Sequence, residues 1–134
     1  MLTDLGLLIL RLAVGAVFLA HGAQKAFGAF GGPGLTGMAG YLGSLGLRPA
    51  QFWAAMAATG ELVAGALLVA GLLTPLAALL VVATMGVAIA KVHGPKGFFI
   101  QNGGYEYNLI LAVSAIAVAL AGPGSWSLDR VLGL

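Results

Sequence analysis

Apolar residues fall into four long blocks, at about 5–27, 50–71, 75–92 and 105–121, and none of them alternates with a period of two. A helix needs about 20 largely apolar residues to cross a hydrocarbon core of roughly 30 Å. The pattern therefore predicts four transmembrane helices and argues against a β-barrel. Pro49 and Pro75 stand where a first helical turn would begin, a place that suits proline because N–H groups there lack helical partners. Only Leu72-Leu73-Thr74 separates the second block from the third, so those two helices must be an antiparallel pair. The first block reads as a retained span rather than a cleaved leader, since Met1-Leu2-Thr3-Asp4 holds no basic residue and three further blocks follow. The expected fold class is all-α: an integral membrane four-helix bundle, with both termini on one side and the first and third loops on the other.

The first loop carries its own pattern. Gly28, Gly31, Gly34, Gly37, Gly40, Gly43 and Gly46 recur at every third position. A collagen reading fails, because Pro33 is the only proline in the run and the run is tied between hydrophobic blocks. Leu35, Met38, Leu42 and Leu45 recur instead at helical spacings of three and four, after the turn signal Gly32-Pro33-Gly34. The expectation is a turn followed by a short interfacial or re-entrant helix.

Composition narrows the class of function. Of 134 residues six are Lys or Arg and four are Asp or Glu, while 60% are hydrophobic. A soluble domain with about 25% charged residues would carry roughly three times as many. A soluble enzyme, a disordered tail and a nucleic-acid binder are excluded, because too little charge is present to solvate a surface or meet phosphates. The chain has no cysteine, which removes disulfides, thiolate catalysis and cysteine-ligated metals.

Scarce charge becomes informative once it is placed on the helices. The first carries Arg11, His21 and Lys25 with Gly15 and Gly22 on nearly one face; the second carries Glu61 among alanines; the third ends in Lys91-Val92-His93; the fourth begins with Tyr105-Glu106-Tyr107-Asn108. The antiparallel topology gathers His21, Lys25, Glu61, Lys91, His93 and Glu106 in one half of the bilayer. If Lys25 and Ala50 both lie at the boundary, Glu61 sits roughly 16 Å deep and Arg11 roughly 21 Å, which makes an Arg11–Glu61 ion pair feasible. Snorkelling lysines, hydrogen-bonded interfacial histidines and a purely structural ion pair are the plainer explanations. They account less well for convergence from all four helices. No His pair at helical i, i+4 spacing supports a metal or haem site, and none is expected. In the third loop Phe98, Phe99 and Tyr105 lie beside amides and charges, as a ring ligand or an interfacial aromatic belt would each require.

Taken in order, Leu10-Arg11-Leu12, Gly15, Phe18-Leu19, His21-Gly22 and Gln24-Lys25 resemble the opening motif of the DoxX family of small bacterial four-helix membrane proteins. Gly32-Pro33-Gly34-Leu35, Leu45-Gly46-Leu47, Glu61, Gly71-Leu72-Leu73-Thr74-Pro75, Val92-His93, Gly97-Phe98-Phe99, Glu106, Gly122-Pro123-Gly124 and Ser127-Leu128-Asp129 continue the resemblance along the chain. It implies a single transmembrane domain over 1–134 in the bacterial inner membrane, with links to quinone-coupled oxidation, oxidative stress and membrane redox complexes. The family's polar positions map onto Arg11, His21, Lys25, Glu61, His93 and Glu106.

Three functions stay open. The first is a quinone-linked oxidoreductase component. In it Glu61, His21, His93 and Glu106 would exchange protons, and Arg11, Lys25, Phe98, Phe99 and Tyr105 would hold a quinone-like ring. The second is a non-enzymatic anchor for redox protein partners. The third is a small-molecule carrier, which would need a homo-oligomer to build a channel wall and lacks the internal repeat many transporters show. Membrane lipid is a partner in all three. Lys25, Arg48, Lys91 and Lys96 favour cytoplasmic first and third loops.

Overall fold

Each apolar block folds into a helix that stops where the local sequence tells it to. The computed structural model describes residues 1–134. It comprises α1 (Leu2–Phe27), α2 (Gly34–Ser44), α3 (Ala50–Ala70), α4 (Thr74–Ala88), α5 (Glu106–Ala121) and α6 (Leu128–Leu132), with no strand. Gly28 (φ 70°) and Gly71 (φ 65°) end α1 and α3 in the left-handed conformation, and their N–H groups close on the last helical carbonyls. Pro49 caps α3, and Pro75 lies in the first turn of α4, as the sequence predicts. The glycine-rich loop folds as expected into a turn and a short helix, α2, which packs across α1 and α3.

Beyond Ala88 the rod of α4 continues through a π-helical turn, Ile89–His93, and a 3₁₀ turn, Gly94–Lys96. Three helical segments are thus long and apolar enough to cross a bilayer: Leu2–Phe27, Ala50–Ala70 and Thr74–Lys96. The fourth expected span is shorter. Helix α5 has 16 residues, or about 24 Å at 1.5 Å per residue. Tyr105 lies outside it, and Gly122 turns the backbone away at its end.

Helices α1, α3, α4 and α5 pack in a ring, each against the next, with α5 returning to α1. The interior is built from small side chains, including Ala54, Ala58, Ala64, Ala77, Ala78 and Ala115, while Ile9, Leu79, Ile110 and Leu120 face outward. This inverts the soluble pattern and suits a lipid solvent, where close backbone approach replaces hydrophobic collapse. The closest approach is between α1 and α3. A Cβ on Gly65 would lie 2.8 Å from both the Gly15 carbonyl oxygen and the Leu19 nitrogen, and one on Gly15 would lie 2.9 Å from the Gly65 carbonyl oxygen.

At the end of the bundle that holds the α3–α4 turn, a polar tie closes the fold. Arg11, 1% exposed, donates through Nη1 to the Pro123 carbonyl and through Nη2 to that of Trp126 at 2.9 Å. Asp129, on α6, reaches the start of α4. Its Oδ1 accepts the Leu73 N–H at 2.7 Å, and its Oδ2 accepts the Thr74 N–H at 2.9 Å and the Thr74 hydroxyl at 2.7 Å. The Asp129 N–H donates in turn to the Gly71 carbonyl at 2.9 Å. Helix α4 has no cap of its own, so this remote carboxylate satisfies its first N–H groups and meets the positive end of its dipole.

Candidate functional site

The antiparallel register of α1 and α3 sets Lys25 beside Glu61. Lys25 Nζ donates to Glu61 Oε1 in an ion pair whose carboxylate end is 4% exposed and whose ammonium end is 22% exposed. The ion pair borders a cavity of about 460 Å³. Val17, Phe18 and His21 line it from α1, Met85 and Ala88 from α4, and Tyr107, Asn108 and Leu111 from α5; His93 and Ile100 cover it from the connection between α4 and α5. One end is polar and the walls are apolar, the usual make-up of a small-molecule pocket of this size.

Each polar side chain at the cavity is held by a different element. The wide π-helical turn brings His93 to the wall, where its Nδ1 lies 2.7 Å from the Gly103 carbonyl oxygen. A carbonyl only accepts, so Nδ1 carries the hydrogen. The Tyr107 hydroxyl and His21 Nε2 are 3.1 Å apart at the more exposed mouth, with ring centroids 5.9 Å apart. Asn108, 4% exposed, donates to Met85 Sδ at 3.5 Å. Two buried acceptors, Glu61 Oε2 and Asn108 Oδ1, have no hydrogen-bond partner. Native interiors pair nearly all such atoms, and those left over call for an explanation.

Of the nine residues singled out from sequence, the structure brings His21, Lys25, Glu61 and His93 to this cavity. Arg11 lies elsewhere, in the polar tie, and its expected ion pair with Glu61 is replaced by Lys25–Glu61. The depth argument set Lys25 level with Ala50, whereas the observed register opposes Gly15 to Gly65 and slides α3 about one and a half turns along α1. Glu106 stands two residues from Asn108, about 200° round the helix, and so does not line the cavity. Phe98, Phe99 and Tyr105 do not line it either. They stack on one another, with Phe98 5.3 Å from Phe99 and 5.6 Å from Tyr105, and Phe99 remains 59% exposed. Ile100 takes their place on the wall.

Sequence reasoning missed Tyr107 and Asn108. The signal was present, since Asn108, Leu111, Ala115 and Val118 form the buried stripe of α5 and a lone amide in such a stripe marks a polar contact inside the bundle. No three His, Cys, Asp or Glu side chains gather in a metal-ligating group.

The DoxX family model matches residues 6–94, from α1 through the π-helical turn, a stretch that includes His21, Lys25, Glu61 and His93. The chain belongs to the DoxX family. An uncharacterized membrane protein of Mycobacterium tuberculosis (strain ATCC 25618 / H37Rv) is 33% identical to it over 133 residues, covering 92% of this chain and 78% of the relative. No solved structure matches. Within this DoxX chain α5, the source of Tyr107 and Asn108, lies beyond the matched region.

Proposed function

We propose that this DoxX protein crosses the bacterial inner membrane with four helices, α5 included. In this reading it binds a small quinone-like ring in the cavity beside Lys25 and Glu61, as a quinone-linked redox component. The observation that carries the reading is the buried Lys25–Glu61 ion pair with Glu61 Oε2 left unpaired at a cavity of about 460 Å³. An ionisable group inside a membrane protein is costly and is kept where it serves a ligand or proton path. The fit to a ring is good: Phe18, Met85 and Leu111 supply apolar walls, and Glu61, Asn108 and His93 supply polar contacts at one end. A bound quinone would supply the two-electron, two-proton chemistry that no side chain of this chain supplies. The chain's own residues bind the ring, offer side chains that can exchange protons at Glu61, His21 and Tyr107, and pair Lys25 with the Glu61 carboxylate.

The experiment is a titration of the purified protein in lipid nanodiscs with tetramethylbenzoquinone and its hydroquinone. Saturable binding is expected, weakened at least about tenfold when Ala88→Phe fills the cavity without loss of helicity. Absence of saturable binding by either form would contradict the reading. A second reading, an anchor for redox protein partners, draws on the exposed aromatic loop at Phe98 and Phe99. It expects Phe98→Ser with Phe99→Ser to release a co-purifying redox protein while ring binding persists.

A further inference from the structure

The hydrogen-bonding inventory of the cavity is lopsided. Its unpaired buried atoms are both acceptors, Glu61 Oε2 and Asn108 Oδ1, on side chains 3% and 4% exposed. The Asn108 amide nitrogen gives one N–H to Met85 Sδ and keeps a second, while its oxygen has no partner. His93 adds a third acceptor. Nδ1–H is given to the Gly103 carbonyl, so whenever the ring is neutral its lone pair lies on Nε2. The remaining donors at the polar end are that second Asn108 N–H and Lys25, already paired with Glu61 Oε1 and able to offer its other N–H groups.

A ring ligand presents either carbonyl or hydroxyl oxygens to such a wall. A quinone carbonyl only accepts. It could take an N–H from Lys25 or Asn108, but against Glu61 Oε2 it would set acceptor to acceptor and leave that buried carboxylate oxygen unpaired. A hydroxyl oxygen both donates and accepts. One ring O–H can therefore donate to Glu61 Oε2 while its oxygen accepts from Lys25, and the second hydroxyl of a hydroquinone can donate to Asn108 Oδ1 or His93 Nε2. Hydrogen bonds to a charged acceptor are about twice as strong as neutral ones, so the Glu61 contact weighs most.

On the reading of this cavity as a ring-ligand site, we infer that it selects the reduced, hydroxyl-bearing form of its ligand, a hydroquinone or phenol, over the oxidised quinone. Glu61 is the specificity-determining acceptor, and the Asn108 oxygen adds a second acceptor for the other hydroxyl. The mouth at His21 and Tyr107 is indifferent to the form, because a histidine nitrogen and a phenol hydroxyl can pair in either sense.

The test is an anaerobic titration of the full chain in nanodiscs with three probes of nearly equal shape: tetramethylhydroquinone, tetramethylbenzoquinone and the dimethyl ether of the hydroquinone. The hydroquinone is expected to bind at least about tenfold more tightly than either of the others, a difference of about 1.4 kcal/mol. Glu61→Gln replaces a carboxylate oxygen with an amide donor, and should bring the hydroquinone and quinone affinities to within a few-fold of each other. Should that variant fail to fold with Lys25 unpaired, Asn108→Leu leaves the ion pair in place. It should weaken hydroquinone binding several-fold and still leave the hydroquinone the tighter ligand, because Glu61 Oε2 continues to accept from it. Equal or tighter binding of the quinone, or of the ether, would overturn the selectivity while leaving the ring site standing. No saturable binding of any probe would overturn the site itself.

Discussion

Replacing Asp129 by Ala is expected to lower the melting temperature of the detergent-solubilised protein by about 10 °C or more. The carboxylate is 4% exposed and accepts three hydrogen bonds, from Leu73 N–H, Thr74 N–H and Thr74 Oγ1–H. Removing it strands those donors, and each buried unpaired group costs about 1–3 kcal/mol. It also frees Leu73, whose φ of 46° is a left-handed conformation that a leucine adopts at a cost of about 1–2 kcal/mol. With Arg11 no longer facing a negative charge, the total is on the order of 3–5 kcal/mol. Asn, which keeps one acceptor oxygen, should cost about half as much.

The same carboxylate sets an acid limit. Burial pushes the Asp129 pKa up, but the Thr74 hydroxyl, the Thr74 and Leu73 N–H groups and the Arg11 charge together outweigh it and hold the value below the usual aspartate range. A folded-state pKa below the unfolded one gives stability that is complete above the unfolded value of about 4 and is lost as pH falls through the folded value. Thermal melts of the wild type should therefore lose stability below about pH 4. Asp129→Asn should start lower and lose less on acidification. Equal acid dependence in the two proteins would remove Asp129 from this account.

The second large effect is expected at the α1–α3 crossing. Gly65→Leu should destabilise by several kcal/mol and abolish ring binding, because a Cβ there would meet the Gly15 carbonyl and the Leu19 nitrogen at 2.8 Å. Overpacking a fitted interface costs typically about 1–3 kcal/mol, and a larger side chain against backbone on both sides exceeds that. Neither neighbour is the free end of a side chain, so relief requires the helices to separate. Separation also parts Lys25 from Glu61, since α1 carries one and α3 the other. Gly86→Ala in α4 is the control: a Cβ there meets nothing within 4 Å, and the change should stabilise by about 0.4–1 kcal/mol. Melting curves and ring titrations on the two variants check both statements. A Gly65→Leu protein that melts and binds like the wild type would show that the close crossing is not what holds the site.

The helices were legible because their signals are local. Pro49, Pro75, Gly28 and Gly71 mark ends within a few residues of where the backbone turns. The spacing of Leu35, Met38, Leu42 and Leu45 placed α2. The gathering of His21, Lys25, Glu61 and His93 was legible too, since antiparallel order alone brings those helix ends together. Register was not legible. It depends on glycines 50 residues apart choosing one another, Gly15 and Gly65, and no local pattern states that choice. Arg11 followed the register, and so found Pro123 and Trp126 rather than Glu61. Asp129 was hidden for the same reason, as its partners lie 55 and 56 residues away. Rotation about α5 decided the rest. Asn108 lies on the buried stripe, and Glu106, two residues earlier, points elsewhere.

The central claim is that the cavity beside the Lys25–Glu61 ion pair is a ring-ligand site, and an experimental structure of the nanodisc-bound protein with tetramethylhydroquinone tests it most directly. The expected result is a ring between Phe18 and Leu111 with one hydroxyl within hydrogen-bonding distance of Glu61 Oε2. A cavity closed by its own side chains, with Glu61 Oε2 bonded to a protein donor and no ring in place, would contradict it.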